Sequence, residues 1–206
     1  MIAILDYEAG NLRSVERALR HLGMDCRITK NREDILKAPR VIFPGVGAAG
    51  RAMEVIRASG LDGVIREVVR RNVPFLGICL GAQVLLSESE ENEAPCLGIL
   101  EGKALRFPDG VGKIPHMGWN DIVPERRHPV LEGIDPKAQF YFVHSYYPSP
   151  SRGEDVIART DYGISFPCVI GRGNVVATQF HPEKSGSQGL LLLKNFCDWD
   201  GRVSPC

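Results

Sequence analysis

The sequence contains no long hydrophobic run, and neither sign of charge is in excess. Its 206 residues include 25 Lys and Arg and 25 Asp and Glu, so the formal net charge is zero. A membrane-spanning helix needs about 18 consecutive apolar residues, and balanced charge argues against electrostatic binding to nucleic acid or anionic lipid. The opening stretch MIAILDYEAGN has no basic leader and predicts a buried strand rather than a signal peptide. We therefore expect a soluble, cytoplasmic protein without nucleic-acid or membrane partners.

The sequence also lacks any C-x-x-C pair, which makes a structural zinc site unexpected. It has neither a GxxxxGK[ST] loop nor a GxGxxG fingerprint, so no metal and no nucleotide cofactor is expected. Six scattered cysteines without a secretory signal are expected to be free thiols, and most of them to act as small buried hydrophobes. They are Cys26, Cys79, Cys96, Cys168, Cys197 and Cys206.

The order of the apolar segments predicts one α/β domain over residues 1–198, followed by a polar, frayed tail over 199–206. In the first half, strands are expected at 1–6, 24–29, 40–47 and 73–78, and helices at 12–22, 49–58, 62–71 and 80–89. This alternation implies a mostly parallel central sheet flanked by helices. The second half predicts an added antiparallel or mixed portion and a closing helix at 186–198, with strands near 104–107, 113–116, 139–144, 155–160, 164–170 and 173–179.

One cysteine stands in an unusual setting. Cys79 lies between Gly77 and Gly81 in FLGICLGAQVLL (75–86), a G-x-C-x-G pattern that places sulfur where serine stands in the hydrolase nucleophile elbow. A strand-to-helix turn puts this sulfur at a helix N-terminus, which favours the thiolate over the thiol. The alternative is a buried cysteine in a glycine-tolerant joint, and the motif alone does not decide between the two.

A cysteine nucleophile requires a base, and His181 follows an apolar strand in TQFHPEKS (178–185). Pro182 stiffens the turn, and Glu183 can fix the imidazole tautomer and stabilise the imidazolium. His-Pro-Glu alone is a common turn. In the same chain as Cys79, it favours a catalytic Cys-His-Glu triad.

The predicted chemistry also needs two N–H donors for an oxyanion. Leu80, directly after the nucleophile, can donate one N–H. The loop containing Val46 and Gly47 can donate another, because its glycines allow a peptide to rotate toward the substrate. Alone, this loop also fits a simple strand-to-helix turn. Since sites in open α/β sheets form at the carboxyl ends of strands, we expect loops 7–11 and 44–48 to meet the Cys79 turn.

Two motifs together, GICLGAQ (77–83) and FHPEKS (180–185), resemble the class I glutamine amidotransferases, or triad glutaminases. The resemblance implies a flavodoxin-like sheet and glutamine hydrolysis by Cys79, His181 and Glu183. Ala82 and Ser145 depart from the residues usual in the family, methionine and threonine. Four further segments resemble the subgroup that passes ammonia to a separate (β/α)8 cyclase in histidine biosynthesis: DYEAGNLRSV (6–15), FPGVGA (43–48), KIPHMGWN (113–120) and YFVHSYY (141–147).

The same resemblance, which spans about residues 1–198, implies further roles. Positions that hold glutamine would be Gly47, Gln83 and Glu91, with the backbone around His144, Ser145 and Tyr146 bracketing its amino-acid head group. Positions at or near the cyclase-docking face would be Asn11, His116, Trp119, Tyr141 and Lys184, although the aromatic residues also fit a core and the lysine a solvated surface. The alternatives are a stand-alone cysteine hydrolase, the glutaminase of another ammonia-using synthase, and a catalytically silent binding subunit.

Overall fold

The structure is a computed structural model that describes residues 1–8 and 10–203. In the first part of the chain, strands alternate with helices: β1 (Ile2–Leu5), α1 (Leu12–His21), β2 (Cys26–Thr29), α2 (Arg32–Lys37), β3 (Val41–Gly45), α3 (Ala49–Ala58), α4 (Leu61–Arg70), β4 (Phe75–Cys79) and α5 (Leu80–Val84). Strands then dominate: β5 (Glu88–Ser89), β6 (Ala94–Pro95), β7 (Gly102–Arg106), β8 (His116–Asp121), β9 (Val123–Pro124), β10 (Gln139–His144), β11 (Tyr146–Pro150), β12 (Val156–Asp161), β13 (Ser165–Arg172) and β14 (Val175–Thr178). The last helix is α6 (Gly186–Asp198).

The main sheet has eight strands in the order β2-β1-β3-β4-β14-β13-β12-β9. The strands from β2 to β14 in this order are parallel, and the remaining three continue the sheet antiparallel. Every residue of β1 and β4 is buried, because parallel strands are covered on both faces. The predicted fold class, a mostly parallel α/β sheet with an added antiparallel portion, is confirmed.

Helices cover both faces of this sheet. On one face, α1 and α6 pack with β10, through side chains such as Leu19, Phe140 and Phe196. On the other face, α2, α3, α4 and α5 pack through side chains such as Ile35 and Val68. Helix α1 forms because Leu12, Val15 and Leu19 recur at helical spacing and are all buried.

Two small sheets complete the fold. One has the order β11-β7-β5-β6, and the other pairs β8 with β10. In the β8–β10 ribbon, His144 pairs with His116 and Tyr141 with Trp119. The period of two along β8 buries His116 and exposes Met117, so this ribbon has one face toward the core and one toward solvent.

The strand pairing brings the loop after β3 and the segment after β14 to the Cys79 turn. The register of β3 with β4 places Gly45 opposite Cys79, so the loop after β3 leaves the sheet beside the sulfur. The register of β14 with β4 places Thr178 opposite Ile78, so the chain that follows β14 emerges on the other side of Cys79.

Several boundaries differ from the sequence-based expectations. No helix was expected at α2, which begins where the Asn31 side chain accepts a hydrogen bond from the Asp34 N–H. The strand expected at 113–116 instead begins at His116. Strand β11 was missed because Pro148 and Pro150 argue against a strand, yet it is an edge strand, where proline is tolerated.

Helix α5 is shorter than the helix expected over 80–89. Its last residue is Val84, and the carbonyl of Val84 accepts a hydrogen bond from the Leu97 N–H. The carbonyls of the next two residues likewise accept from Gly98 and Ile99. The N–H groups of residues 97–99 thus occupy the carbonyl oxygens that a longer helix would need as acceptors. Helix α5 therefore ends after five residues.

The tail expected to fray does not begin at Trp199. This residue is buried, its Nε1 donates to the Arg202 carbonyl across 2.6 Å, and its own carbonyl accepts from Arg40 across 2.9 Å. Its ring lies 5.0 Å from that of His128. His128 is itself buried, and burial together with Arg126 lowers its pKa to about 4. Residues 204–206 lie outside the described part.

Within residues 1–8 and 10–203, no helix combines the length and the apolar character that crossing a membrane demands. The five cysteines in these ranges are free and buried: Cys26, Cys79, Cys96, Cys168 and Cys197. Cys206 lies outside the described residues.

Candidate active site

Cys79 occupies a strained turn between β4 and α5. Its backbone has φ 56° and ψ −107°, a conformation that non-glycine residues rarely adopt and that concentrates at functional sites. The residue ends a fully buried strand and directly precedes the first residue of a helix. This is the geometry of a nucleophile elbow.

The two glycines around Cys79 are required by close backbone contacts. A Cβ atom at Gly77 would lie 3.0 Å from the carbonyl of Gly81, and one at Gly81 would lie 2.0 Å from the carbonyl oxygen of Phe43. The elbow therefore folds back on its own strand and presses against β3. A side chain at Gly81 would push β3 and the loop that follows it away from the sulfur.

A buried glutamine, Gln179, contacts the sulfur. Its Nε2 donates to Cys79 Sγ across 3.6 Å, and its Oε1 accepts from Gln83 Nε2 across 3.0 Å. An N–H donor at sulfur stabilises negative charge there. Gln179 was not among the predicted site residues, although it stands two positions before His181 in the motif TQFHPEKS. That position at the strand end was the available signal.

His181 and Glu183 form a fully buried pair. Nδ1 of His181 donates to Glu183 Oε1 across 2.7 Å, and the two side chains are 1% and 0% exposed. Asn11 Nδ2 donates to the same Oε1 across 2.5 Å. Among the described residues, His181 Nε2 has no hydrogen-bond partner. Glu183 thus holds one ring nitrogen, and the other is left for the pocket.

The surroundings of His181 favour its protonated form. Burial lowers the pKa of His181, but Cys79 and Glu183 outweigh burial and raise that pKa to about 9. The backbone around it is fixed from two sides. The His181 N–H donates to the Tyr141 carbonyl across 2.9 Å, and Ser185 Oγ donates to the His181 carbonyl across 2.6 Å.

A pocket of about 290 Å³ brings most of the predicted site residues together. Its lining includes the predicted nucleophile and base, the loop at Val46 and Gly47 that was predicted to supply an oxyanion donor (the oxyanion loop), and the predicted substrate positions. The lining residues are Val46, Gly47, Cys79, Leu80, Gln83, Glu91, Val143, His144, Ser145, Tyr146 and His181. Glu183 lies behind His181, outside this lining. The Leu80 N–H is at the start of α5, beside the sulfur, where an oxyanion donor is needed.

The base of the oxyanion loop is tightly packed. A Cβ atom at Gly45 would lie 2.2 Å from the Tyr7 hydroxyl oxygen and 3.0 Å from Leu80 Cβ. The next residues open toward solvent. Val46 is 38% exposed, and Gly47 has φ 96° with no atom of the described residues within 4 Å of a Cβ placed there. The loop is therefore anchored at Gly45 and free to change its peptide orientation at Gly47.

Two buried histidines support the pocket wall. His144 Nδ1 donates to the Tyr146 carbonyl across 2.8 Å, so its Nε2 accepts from His116 Nδ1 across 3.0 Å. Burial lowers the pKa of His144 to about 3 and that of His116 to about 4. Both rings are therefore neutral at physiological pH. His116, which was expected at or near a docking face, has a side chain only 3% exposed, so any part it has there is not as a surface contact.

The other residues expected at or near the docking face differ from His116 in their exposure and contacts. Trp119 is 54% exposed and packs edge-on against Tyr141 with ring centroids 6.0 Å apart. Lys184 Nζ lies 5.9 Å above the Tyr141 ring. Met117, on the same strand as Trp119, is 62% exposed. Met117, Trp119 and Tyr141 form an apolar surface, the ribbon face, with Lys184 at its edge. The side chain of Asn11 instead donates a hydrogen bond to Glu183.

No cluster of three or more His, Cys, Asp or Glu side chains within the described ranges could hold a metal ion.

Comparison with known sequences places the chain in a family. The sequence model of the family described as glutamine amidotransferase class-I matches residues 3–199. The chain is 50% identical over 197 residues to "Imidazole glycerol phosphate synthase subunit HisH" of Dehalococcoides mccartyi (strain CBDB1), covering 95% of this chain and 96% of that protein. It is 48% identical over 202 residues to the protein of the same name in Acinetobacter baylyi, covering 97% and 98%.

Solved structures agree with this placement. A structure titled "Crystal structure of glutamine amidotransferase" aligns with a TM-score of 0.72 at 25% identity, covering 96% of this chain and 97% of that one. The structure of PurLQS from Thermotoga maritima aligns with a TM-score of 0.75 at 19% identity, with the same coverage, and shows the fold alone. From its sequence and its architecture, the chain belongs to the class-I glutamine amidotransferase family.

Proposed function

We propose that this chain is the glutaminase subunit of an imidazole glycerol phosphate synthase. It hydrolyses L-glutamine to L-glutamate and ammonia and passes the ammonia to a cyclase subunit. The observation that carries the glutaminase chemistry is the pairing of His181 with Glu183 beside Cys79, which leaves His181 Nε2 without a partner among the described residues. Identity of about half of all positions to proteins of that subunit name supports the choice of synthase.

The first half of the reaction is acyl transfer to sulfur. The Cys79 thiolate attacks the side-chain amide carbon of glutamine, and the carbonyl oxygen becomes an oxyanion. The Leu80 N–H and a peptide N–H of the loop at Val46 and Gly47 stabilise that charge. His181 gives its proton to the amide nitrogen, the C–N bond breaks, and ammonia leaves a thioester on Cys79.

The second half hydrolyses the thioester. His181, now neutral, takes a proton from a water molecule, which attacks the thioester carbon. The C–S bond breaks, glutamate leaves and the thiolate with its imidazolium is restored. Glu183 stabilises the imidazolium in both halves and keeps Nε2 directed at the reacting atoms.

Glutamine is proposed to bind across the same pocket. Gly47, Gln83 and Glu91 hold it, and the backbone at 144–146 brackets its amino-acid head group. Gln83 and His144 both bond the Tyr146 carbonyl, across 2.8 Å in each case, which fixes the orientation of that backbone segment.

The proposed partner is a (β/α)8 cyclase subunit, bound as a heterodimer. It receives ammonia through an interior passage and converts the ribulosyl nucleotide PRFAR to imidazole glycerol phosphate and AICAR in histidine biosynthesis. The ribbon face suits this docking, because Met117 and Trp119 expose large apolar side chains. Lys184 adds a cation at the edge of this surface. The proposed setting is the cytoplasm, since the described cysteines are free thiols.

Docking is also proposed to activate the site. The loop at Val46 and Gly47 is exposed and is flanked by glycines, so its peptide can turn when the partner and its substrate bind. In the free subunit this oxyanion donor is missing, and glutamine is hydrolysed very slowly. One missing oxyanion donor costs about 10²–10³ in kcat.

The test measures glutamate release from glutamine by the chain alone, with the cyclase, and with the cyclase plus PRFAR. We expect a gain of at least about 10² between the first and last conditions. Full turnover by the isolated chain, unchanged by the cyclase, would instead identify a stand-alone cysteine hydrolase.

A second test separates ammonia production from ammonia use. A complex carrying Cys79→Ala should make no imidazole glycerol phosphate from glutamine but should make it from added ammonium salt. Because neutral NH₃ is the nucleophile, the rescued rate should rise with pH. A folded complex that binds PRFAR but fails with ammonium would contradict the separation of the two sites. As a comparison, Lys184→Ala should weaken docking while leaving Cys79 reactive.

A further inference from the structure

Glu91 makes a contact that substrate binding does not require. Its Oε2 accepts the backbone N–H of Ala49 across 2.6 Å, over a sequence separation of 42. Ala49 is the first residue of α3 and follows Gly47 by two positions. Glu91 also lines the pocket together with Gly47 and Cys79. One carboxylate therefore reaches both the pocket and the end of the oxyanion loop.

Helix α3 depends on this contact because its own sequence does not supply a cap. Ala48, at the N-cap position, has no side-chain acceptor, and the first turn contains no acidic residue. The N–H groups that begin a helix need external acceptors, and a negative charge is favourable there. Glu91 provides both from another segment and so fixes where the oxyanion loop ends and the helix starts.

The turn that carries Glu91 is itself held in place. The Glu91 N–H donates to Ser89 Oγ across 3.1 Å. Asn92 and Glu93 have positive φ angles of 59° and 47°. Such left-handed backbone persists only where its surroundings impose it. The Glu91 carboxylate is therefore presented from a defined turn.

The second carboxylate oxygen, Oε1, accepts no hydrogen bond from the described residues. We infer that Glu91 couples glutamine recognition to the oxyanion loop: Oε1 binds the α-ammonium group of glutamine while Oε2 holds the Ala49 N–H. This inference rests on the proposed glutaminase function. Binding the ammonium fixes the carboxylate, and the fixed carboxylate places the peptides that precede Ala49.

This arrangement makes the α-ammonium group a determinant of rate as well as of affinity. Binding energy from a remote part of the substrate then orders the group that stabilises the transition state. Glu91 is a positioning residue for the oxyanion loop, in addition to its contact with substrate. Amides that lack the α-amino group should bind and still be hydrolysed slowly.

The experiment uses the complex with the cyclase and saturating PRFAR, and compares glutamine with glutaramate, which is glutamine without its α-amino group. Glu91→Gln keeps an oxygen acceptor for Ala49 but loses the charge. Glu91→Ala loses both. With glutamine, Glu91→Gln should raise KM and lower kcat toward the wild-type rate on glutaramate, because the ammonium contact is lost while Ala49 keeps its acceptor. Glu91→Ala should raise KM and lower kcat further, by at least about tenfold relative to wild type, since a displaced oxyanion donor costs up to about 10²–10³.

Glutaramate isolates the positioning role because it has no ammonium group to lose. The wild-type kcat on glutaramate should be well below that on glutamine. Glu91→Ala should lower the glutaramate rate further, and Glu91→Gln should not. Adding Ala48→Ser, which gives α3 its own N-cap, should restore part of the rate lost in Glu91→Ala. Glu54→Ala, an exposed change on the same helix, should change neither substrate's kcat.

The outcomes separate this inference from the function on which it rests. If the wild-type complex releases no glutamate from glutamine, the proposed function fails. If it does, and Glu91→Ala keeps the wild-type kcat on glutamine and glutaramate, Glu91 only binds the ammonium and the coupling is refuted. If the Glu91→Ala chain does not fold, Glu91→Leu is used in its place and is compared with Glu91→Gln. Equal kcat values of Glu91→Leu and Glu91→Gln on glutamine also refute the coupling.

Discussion

The side-chain amide of Asn11 donates to Glu183 Oε1 across 2.5 Å, although the two residues are 172 positions apart. The loop after β1 therefore supports the carboxylate that orients His181. Asn11 Nδ2 also lies 3.3 Å from His181 Nδ1. This contact places Asn11 beside the proposed catalytic pair, in addition to the docking role proposed for it.

Removing the Asn11 side chain should slow catalysis. Asn11 has φ 73°, so Asn11→Gly removes the amide without backbone strain. A hydrogen bond to a charged group contributes about 1.5–3 kcal/mol, so kcat should fall roughly 10- to 100-fold. KM should change little, because Asn11 does not line the pocket. Steady-state glutamate release by the complex measures both constants.

The matched control for this prediction is Asn31→Ala. Asn31 caps α2, so this change should lower the free energy of unfolding by about 1 kcal/mol and leave kcat unaltered. If Asn11→Gly weakens cyclase binding and keeps kcat in the saturated complex, Asn11 acts at the docking face alone.

A glutamine-like electrophile should label Cys79 and spare the other described cysteines. Burial raises the pKa of Cys96 and of Cys197 to about 11, and it also raises the pKa of Cys26 and Cys168. These thiols are therefore protonated and unreactive at neutral pH. Peptide mapping after labelling identifies the modified residue.

Labelling is best measured in a Cys206→Ser background, because Cys206 lies outside the described residues. Cys79→Ala should abolish both the label and glutamine hydrolysis while leaving the unfolding transition in place. Label found chiefly on Cys26 or Cys197 would contradict the assignment of the nucleophile.

Two glycine substitutions should have opposite effects on stability. Gly81→Ala places Cβ 2.0 Å from the Phe43 carbonyl oxygen, a backbone atom that cannot yield. Gly81→Ala should lower the free energy of unfolding by more than about 2 kcal/mol and reduce labelling at Cys79. Gly63→Ala, in α4, meets no atom within 4 Å and should stabilise the fold by up to about 1 kcal/mol. Urea unfolding compares them, and a neutral Gly81→Ala would refute the close contact.

Glutaminase activity should fall as pH rises through about 9. His181 has its pKa raised to about 9 after burial is outweighed by Cys79 and Glu183, and only the imidazolium can protonate the departing ammonia. The same shift adds stability that is fully present below about pH 6.5, the ordinary histidine pKa, and is lost as pH rises toward 9.

Glu183→Gln removes one cause of the raised pKa. The alkaline limb of the kcat profile should then move to lower pH by about one pH unit or more. Glu54→Gln, an exposed carboxylate change, should leave the limb in place. An unshifted profile in Glu183→Gln would mean that Glu183 does not interact with the His181 charge.

The sequence determined much of this protein by local rules. Continuous apolar runs such as IAIL and FLGIC predicted buried strands, and the structure confirms that both are fully buried strands. G-x-C-x-G and His-Pro-Glu indicated the nucleophile, base and acid, because each of these roles depends on neighbours within two or three positions. The closing helix was predicted with the bounds that the structure has, Gly186–Asp198.

Features that depend on contacts between residues far apart in the chain could not be predicted from the sequence. Helix α5 ends early because residues 97–99 take its carbonyls. His116 is buried because strand pairing with β10 sets it against His144, although its motif resembles a docking segment. Gln179 and Asn11 reach Cys79 and Glu183 only through the sheet order.

The difference between what the sequence determined and what the tertiary structure decided has a physical basis. Helix and strand periodicity, turn chemistry and the elbow glycines act over a few residues, so the amino-acid order specifies them. Hydrogen bonds such as that from Ala49 to Glu91 join segments whose separation in space is fixed by burial of the whole core. The sequence alone thus determined which groups are proposed to do the chemistry, and only the tertiary structure decided which other side chains hold them in position.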